Sequence, residues 1–143
     1  MTPDLMRAKA RLAETNSTCV LCRGEDEVTS QRRGVAPLLG FLDEHLPLTG
    51  FSAADRVVGK AAAFLYIRLG VTAVYAPVMS RPAFDTLTTH GVPAFYDTLT
   101  EAIINRTGDG HCPMETAVWE ITDPAEAETA IRERLAELTH HKI

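Results

Sequence analysis

Apolar positions recur along the chain in blocks whose spacing names the elements. Leu5, Ala8 and Leu12, with Arg7, Lys9 and Arg11 between them, predict an amphipathic helix over residues 3–14. The runs 17–23 and 27–31, joined by the polar turn Gly24-Glu25-Asp26, predict a hairpin. Leu38, Phe41, Leu42 and Leu46 follow at helical spacing behind Pro37, and Pro47 stops that helix. After a loop through Pro47-Leu48-Thr49-Gly50, a long apolar stretch from Ser52 to Leu69 predicts a helix ended by Gly70. Its start, Ser52-Ala53-Ala54-Asp55, has the form of a capped terminus, with Ser52 as cap and Asp55 favoured by the helix dipole. Val71 to Val78 is a β-branched run suited to a central strand. A helix over 82–90 closing on Gly91, a short strand near 93–96, a polar loop at 105–111 and a short helix at 113–120 come next. The last helix, 124–139, has Asp123 as cap, Pro124 at its first position and Glu126 three past the cap. A hairpin followed by helix–strand alternation implies one α/β domain over residues 1–143, three-layered, with a mixed sheet of about four or five strands flanked by helices.

Between Val57 and Ile67 the only charged residue is Lys60. A helix apolar almost all round is buried, so this ammonium either snorkels to an edge or takes a partner. Asp55 lies about 140° away around such a helix, and Arg56 shares the face and repels. An anionic partner therefore comes from elsewhere in the fold or from a ligand. Gly59, costing about 1 kcal/mol inside a helix, signals close approach of some group to the backbone. Gly59-Lys60 is not a phosphate-binding Walker A loop, because positions 54 and 61 are both alanine.

Cys112-Pro113-Met114-Glu115 parses as cap and first turn, with Glu115 placed to bond back to the cap's backbone N–H. Cysteine is an indifferent cap. Near a helix start a thiolate is favoured, a neighbouring Lys60 favours it further, and Glu115 opposes it. Gly108-Asp109-Gly110 offers amides for an anion nest, and Asn105 and Arg106 add donors. A glycine turn, a helix cap and a buried thiol account for the same residues without chemistry. With no base placed beside Cys112, ligand binding ranks above catalysis. Cys19 and Cys22 form a C-x-x-C, but residues three apart on a strand face opposite ways, so they read as two buried thiols.

Composition narrows the partners. A net charge of −5 disfavours nucleic acid, and the Arg32-Arg33 pair reads as a solvated loop. No apolar run approaches the roughly 20 residues that span a bilayer, and the charged N-terminus lacks a signal-peptide pattern. A cytoplasmic protein is expected, with Asn16-Ser17-Thr18 and Asn105-Arg106-Thr107 meaningless as glycosylation sites. An odd number of cysteines, 3, argues against a disulfide framework. The apolar faces of the first and last helices offer a surface for a homodimer.

Four segments carry a family likeness: Asp-Arg-Val-Val-Gly-Lys-Ala-Ala-Ala at 55–63, Met-Ser-Arg-Pro at 79–82, Asn-Arg-Thr-Gly-Asp-Gly at 105–110 and Cys-Pro-Met-Glu at 112–115. Together they resemble the domain of unknown function 1893 family, within the cytidine deaminase-like superfamily, over about residues 15–122. Zinc deaminases carry H-x-E at the start of their long helix and P-C-x-x-C after the next strand. Here 55–63 holds neither His nor Glu, and Pro77 is followed by valine. The resemblance thus implies the cytidine deaminase-like fold without zinc, without a cofactor and without deamination.

It also implies that the four segments meet in one pocket, where Glu115 or Cys112 faces the Lys60 ammonium. Cys112, Lys60 and Glu115 are the candidate catalytic groups; Asp55, Ser80, Asn105, Arg106 and Gly110 are candidate ligand contacts. The expected function is binding of a small polar, anionic or nucleotide-like metabolite, with Lys60 and Arg106 supplying positive charge. Cys112 would serve as nucleophile and Glu115 as a base or as the group orienting Lys60. The alternatives are a non-catalytic interaction module, a Cys-dependent transferase or hydrolase, and a rebuilt metal site from Asp55, Cys112 and Glu115. Whether the chain catalyses any reaction is left open by its sequence.

Overall fold

Helix α1 (Pro3–Glu14) begins on Thr2, whose hydroxyl accepts from the Leu5 N–H, and lays Leu5, Ala8 and Leu12 on one face of a sheet. The computed structural model describes residues 1–103 and 112–140, the last two of these without their side chains. The hairpin of β1 (Cys19–Arg23) and β2 (Asp26–Ser30) closes with Arg23 opposite Asp26. Gly24 takes φ +57° in the two-residue turn, a conformation that disfavours a side chain. β1 also pairs antiparallel with β3 (Ser52–Asp55), which runs parallel to β5 (Ala73–Ser80). β4 (Val57–Val58) continues the β3 pairing along β5 at the same sequence offset, Ser52 facing Ala73 and Val57 facing Val78. The two are one strand interrupted at Arg56. β6 (Ala94–Thr100) lies parallel on the other side of β5, completing, among the described residues, a mixed sheet of six strands.

The second face of the sheet is covered by α2 (Ala36–Asp43), α3 (Lys60–Leu69) and α4 (Arg81–Thr89), with α6 (Pro124–His140) packed on α3. A short helix, α5 (Pro113–Ala117), precedes α6. Alternation along β1 sorts its side chains between two cores. Cys19 and Leu21 join the helical layer, while Val20 and Cys22 join α1. Both cysteines are fully buried and unbridged, as the opposite-face reading requires. Asp123 caps α6 through the Glu126 N–H at 2.9 Å, again as its sequence position predicts.

The expected helix over 52–69 is corrected. Residues 52–58 are strand, and the helix begins at Lys60. Ser52, Ala53, Ala54 and Asp55 are all buried, and backbone pairing to β1 on one side and β5 on the other outweighs the helix propensity of alanine. Ser52 therefore caps no helix, and the sheet has six strands because this segment joins it. The helix behind Pro37 stops at Asp43 rather than Pro47, the chain turning at His45 with φ +53°. Leu5, Ala8 and Leu12 of α1 and the Ala127 and Ile131 side chains of α6 are buried within the chain, while Met6 of α1 is exposed. Among the described residues no helix is long and apolar enough to cross a membrane.

Candidate functional site

In an open α/β sheet, the crevice outside the carboxyl ends of the parallel strands is the usual ligand position. Here β4 ends at Val58, the antiparallel β1 begins beside it, and a cavity of about 350 Å³ opens there. Asp55 and Val57 line it from the interrupted strand, Thr18 from the lead into β1, Arg33, Val35 and Pro37 from the start of α2, Gly59, Ala61 and Ala62 from the start of α3, and Cys112, Met114 and Glu115 from α5. Three helix N-termini, those of α2, α3 and α5, thus border one space.

The start of α3 explains Gly59 and Glu115 together. Gly59 is the cap of α3 and has no side chain to offer, so the first amides of the helix need an outside acceptor. Glu115 supplies it. Its Oε1 accepts from the Lys60 N–H at 2.7 Å and its Oε2 from the Ala61 N–H at 2.9 Å. A Cβ on Gly59 would stand 2.6 Å from the carboxyl carbon of Glu115 and closer still to Oε1. The expected close approach to the Gly59 backbone is thus a carboxylate. The spacing of Glu115 from Cys112 predicts a bond back to its own helix cap, and this expectation is corrected. The Cys112 N–H instead donates to the Ile103 carbonyl at 3.1 Å, and the Cys112 carbonyl accepts from Thr116. A carboxylate gains more by filling two open amides of a longer helix than one at its own.

Asp55 is the second buried acid of the cavity, 9% exposed. Tyr66 Oη donates to its Oδ2 at 2.6 Å. Burial pushes the Asp55 carboxyl up to about 6, while the Tyr66 hydroxyl and the Val57 and Arg56 amides pull it down. Tyr66 itself is driven well above its ordinary value by burial and by Asp55. Cys19, close to both, is pushed up to about 12 by burial and by the Asp55 charge, which makes it an inert thiol at neutral pH. The Arg56 guanidinium bonds the carbonyls of Leu12, Thr15 and Ser17, tying the end of α1 to the strand. Arg33 is exposed at the cavity wall.

The structure brings Asp55, Cys112 and Glu115 into this cavity. Lys60 and Ser80 lie elsewhere. The Lys60 ammonium donates to the Trp119 carbonyl at 2.9 Å and lines a separate small groove with Phe64, Thr86 and His90. Burial lowers its proton affinity and the Glu115 charge raises it. The expected cavity shared by this amine and Cys112 is therefore not built, because Lys60 sits at the first turn and its side chain leaves toward α4. Ser80 is fully buried and caps α4 through the Ala83 N–H at 3.1 Å. Asn105, Arg106 and Gly110 fall outside the described residues. Arg33, Thr18 and Tyr66 were not among the expected site residues. Only Arg33 carried a signal, its place in the Arg32-Arg33-Gly34 turn just ahead of a helix. Among the described residues, no group of three or more His, Cys, Asp or Glu side chains could hold a metal ion.

A family model described as TM1506, domain of unknown function (DUF1893), matches residues 7–135. Among solved structures the chain is similar to a DUF1893 family protein (TM1506) from Thermotoga maritima, at 25% identity and a TM-score of 0.81, over 96% of this chain and 92% of that one. No curated protein matches the chain.

Proposed function

The chain belongs to the DUF1893 family, a domain of unknown function, and from that premise we propose that it is a binding protein for a small polar metabolite carrying an anionic group. One observation carries this reading: a cavity of about 350 Å³ at the strand ends, walled by segments distant in sequence and bordered by three helix starts. Its size falls at the lower end of the roughly 300–1,000 Å³ of ligand pockets, and its mostly apolar wall with a few polar groups has their character. The α3 start is already occupied by Glu115, whereas the positive end of α2, with Arg33 beside it, suits an anionic group at the mouth. The same reading assigns the chain to the cytidine deaminase-like superfamily. The order of hairpin, strand, helix, strand, helix and strand supports that assignment, and the lack of an H-x-E and a P-C-x-x-C sets deamination aside.

Thermal shift against a panel of nucleotides and phosphorylated metabolites tests the proposal. Wild type should be stabilised by at least one of them, and Arg33→Glu, an exposed change, should weaken that ligand roughly tenfold. No shift with any compound would sink it. A second reading, Cys-dependent group transfer, is favoured by the half-buried Cys112 in the cavity wall. It requires a covalent adduct on Cys112 detectable by mass spectrometry after turnover.

A further inference from the structure

Asp55 raises a question that the fold by itself leaves unanswered. It is a carboxyl buried to 9% exposure in the wall of a cavity wide enough for a ligand. An ionised acid in such a place ordinarily has a cation against it, since a buried charge without one is costly. Here no salt bridge to it exists among the described residues, and among them its one side-chain hydrogen bond comes from Tyr66. The guanidinium of Arg56, next in the chain, pulls on the carboxyl through space but makes no ion pair with it, being held by three backbone carbonyls near the end of α1. Glu115 is of the same sign and is engaged at the α3 amides. A carboxylate has about four acceptor positions, so Asp55 keeps capacity beyond Tyr66 and the strand amides.

We infer that Asp55 reads the inner end of the ligand, and that this end is a compact nitrogenous cation of the amidinium or ammonium class. The inference rests on the cavity being a ligand site and deepens that reading. A cation seated against Asp55 supplies the contacting counter-charge that Arg56 does not, and the anionic group stays at the mouth near Arg33. The ligand is then amphoteric, its positive head inward.

The charged and titratable groups around Asp55 set the pH behaviour. Tyr66 faces it from α3, Cys19 from β1 and Arg56 from its own strand, with Glu115, Cys112 and Arg33 on the rest of the cavity wall. An amidinium stays charged across the accessible range, so its binding follows the Asp55 proton. Affinity should be level above about pH 6 and fall up to tenfold per pH unit well below it.

Benzamidine, benzamide and benzoate share one shape and differ in head charge, which makes them the probes. The readout is the rate at which iodoacetamide alkylates Cys112 in the full chain, since Cys112 lines the same cavity. Benzamidine should slow the reaction at millimolar concentration and benzoate should not, and Asp55→Asn should weaken the benzamidine effect roughly tenfold. Tyr66→Phe keeps the carboxylate and removes a donor that holds its proton affinity down. It should move the midpoint of the pH dependence upward, and it serves as the test if Asp55→Asn does not fold. Benzoate protecting as well as benzamidine, or a midpoint unmoved by Tyr66→Phe, would overturn the assignment to Asp55 while leaving the cavity a ligand site. None of the three protecting, while an anionic metabolite stabilises the protein, overturns it in the same way. Failure of both the probes and the metabolite panel would remove the ligand site itself.

Discussion

Gly59 has φ −99°, a conformation open to every residue, so its lack of a side chain answers a need for space and not for backbone freedom. The space belongs to the Glu115 carboxylate. At Asp55 the residue scale is electrostatic. Its folded carboxyl is raised from an ordinary 3.8 to about 6, so relative to the unfolded chain the fold favours the neutral acid, while above about pH 6 Asp55 is ionised. That preference contributes stability fully below the ordinary carboxylate range and loses it as pH rises through about 6. The cost of ionising Asp55 in place is up to roughly 3 kcal/mol. Asp55→Asn, which cannot ionise, should therefore gain on wild type as pH rises from about 4 to 7 and stay level above that. Urea unfolding of both proteins across this range checks it, and a stability difference independent of pH would contradict the assignment.

At the scale of elements, α3 starts on a glycine with no acidic residue in its first turn, and its N-terminus is completed by α5. Glu115→Ala removes an acceptor from two amides and a charge from the dipole, and should cost about 2–3 kcal/mol in chemical unfolding. Gly59→Ala should cost about 2 kcal/mol by forcing the carboxylate away. Because both changes break one contact, the double variant should lose less than the two single losses combined, by about 1–2 kcal/mol. Strict additivity would mean that the glycine and the carboxylate do not meet in solution. The interrupted strand is the other informative element. Arg56 leaves the ladder between β3 and β4 and turns its guanidinium to the carbonyls around the end of α1, which joins the outer helix to the central strands.

For the whole molecule, two cores separated by one sheet decide which parts open together. Cys19 faces the helical layer and Cys22 faces α1, both without exposure, whereas Cys112 is half-buried at the cavity. Modification of Cys19 requires the protein to open globally, because burial in the folded state both shields its thiol and pushes it up to about 12. Mass-resolved alkylation at neutral pH should label Cys112 first, with Cys19 and Cys22 following only as urea approaches the unfolding midpoint. Early labelling of Cys19 would show that β1 frays on its own.

The local pattern carried much of this fold. The helical spacing of Leu5, Ala8 and Leu12, the hairpin turn at Gly24, the β-branched run before Ser80 and the cap at Asp123 each depend on neighbours a few residues apart. The helix and the cap fall where the sequence puts them, the turn is one residue shorter because Asp26 pairs with Arg23, and the strand lies two residues later, over Ala73–Ser80. Ser52 to Asp55 defeated that reasoning because four buried residues, two of them alanine, become a strand only through partners supplied by β1 and β5. The candidate site divides in the same manner. That Gly59 needed room and that Glu115 mattered were both legible, but the carboxylate reaches the neighbouring Lys60 amide across 55 positions of chain. The pairing of Asp55 with Tyr66 leaves no periodic trace, since it joins the end of a strand to the second turn of a helix. Sequence by itself determined the elements whose stability is local and the family to which they belong. Tertiary structure decided which acid fills the start of α3, which acid is left facing the cavity, and that Lys60 looks away from it, because those outcomes depend on distances that only packing sets.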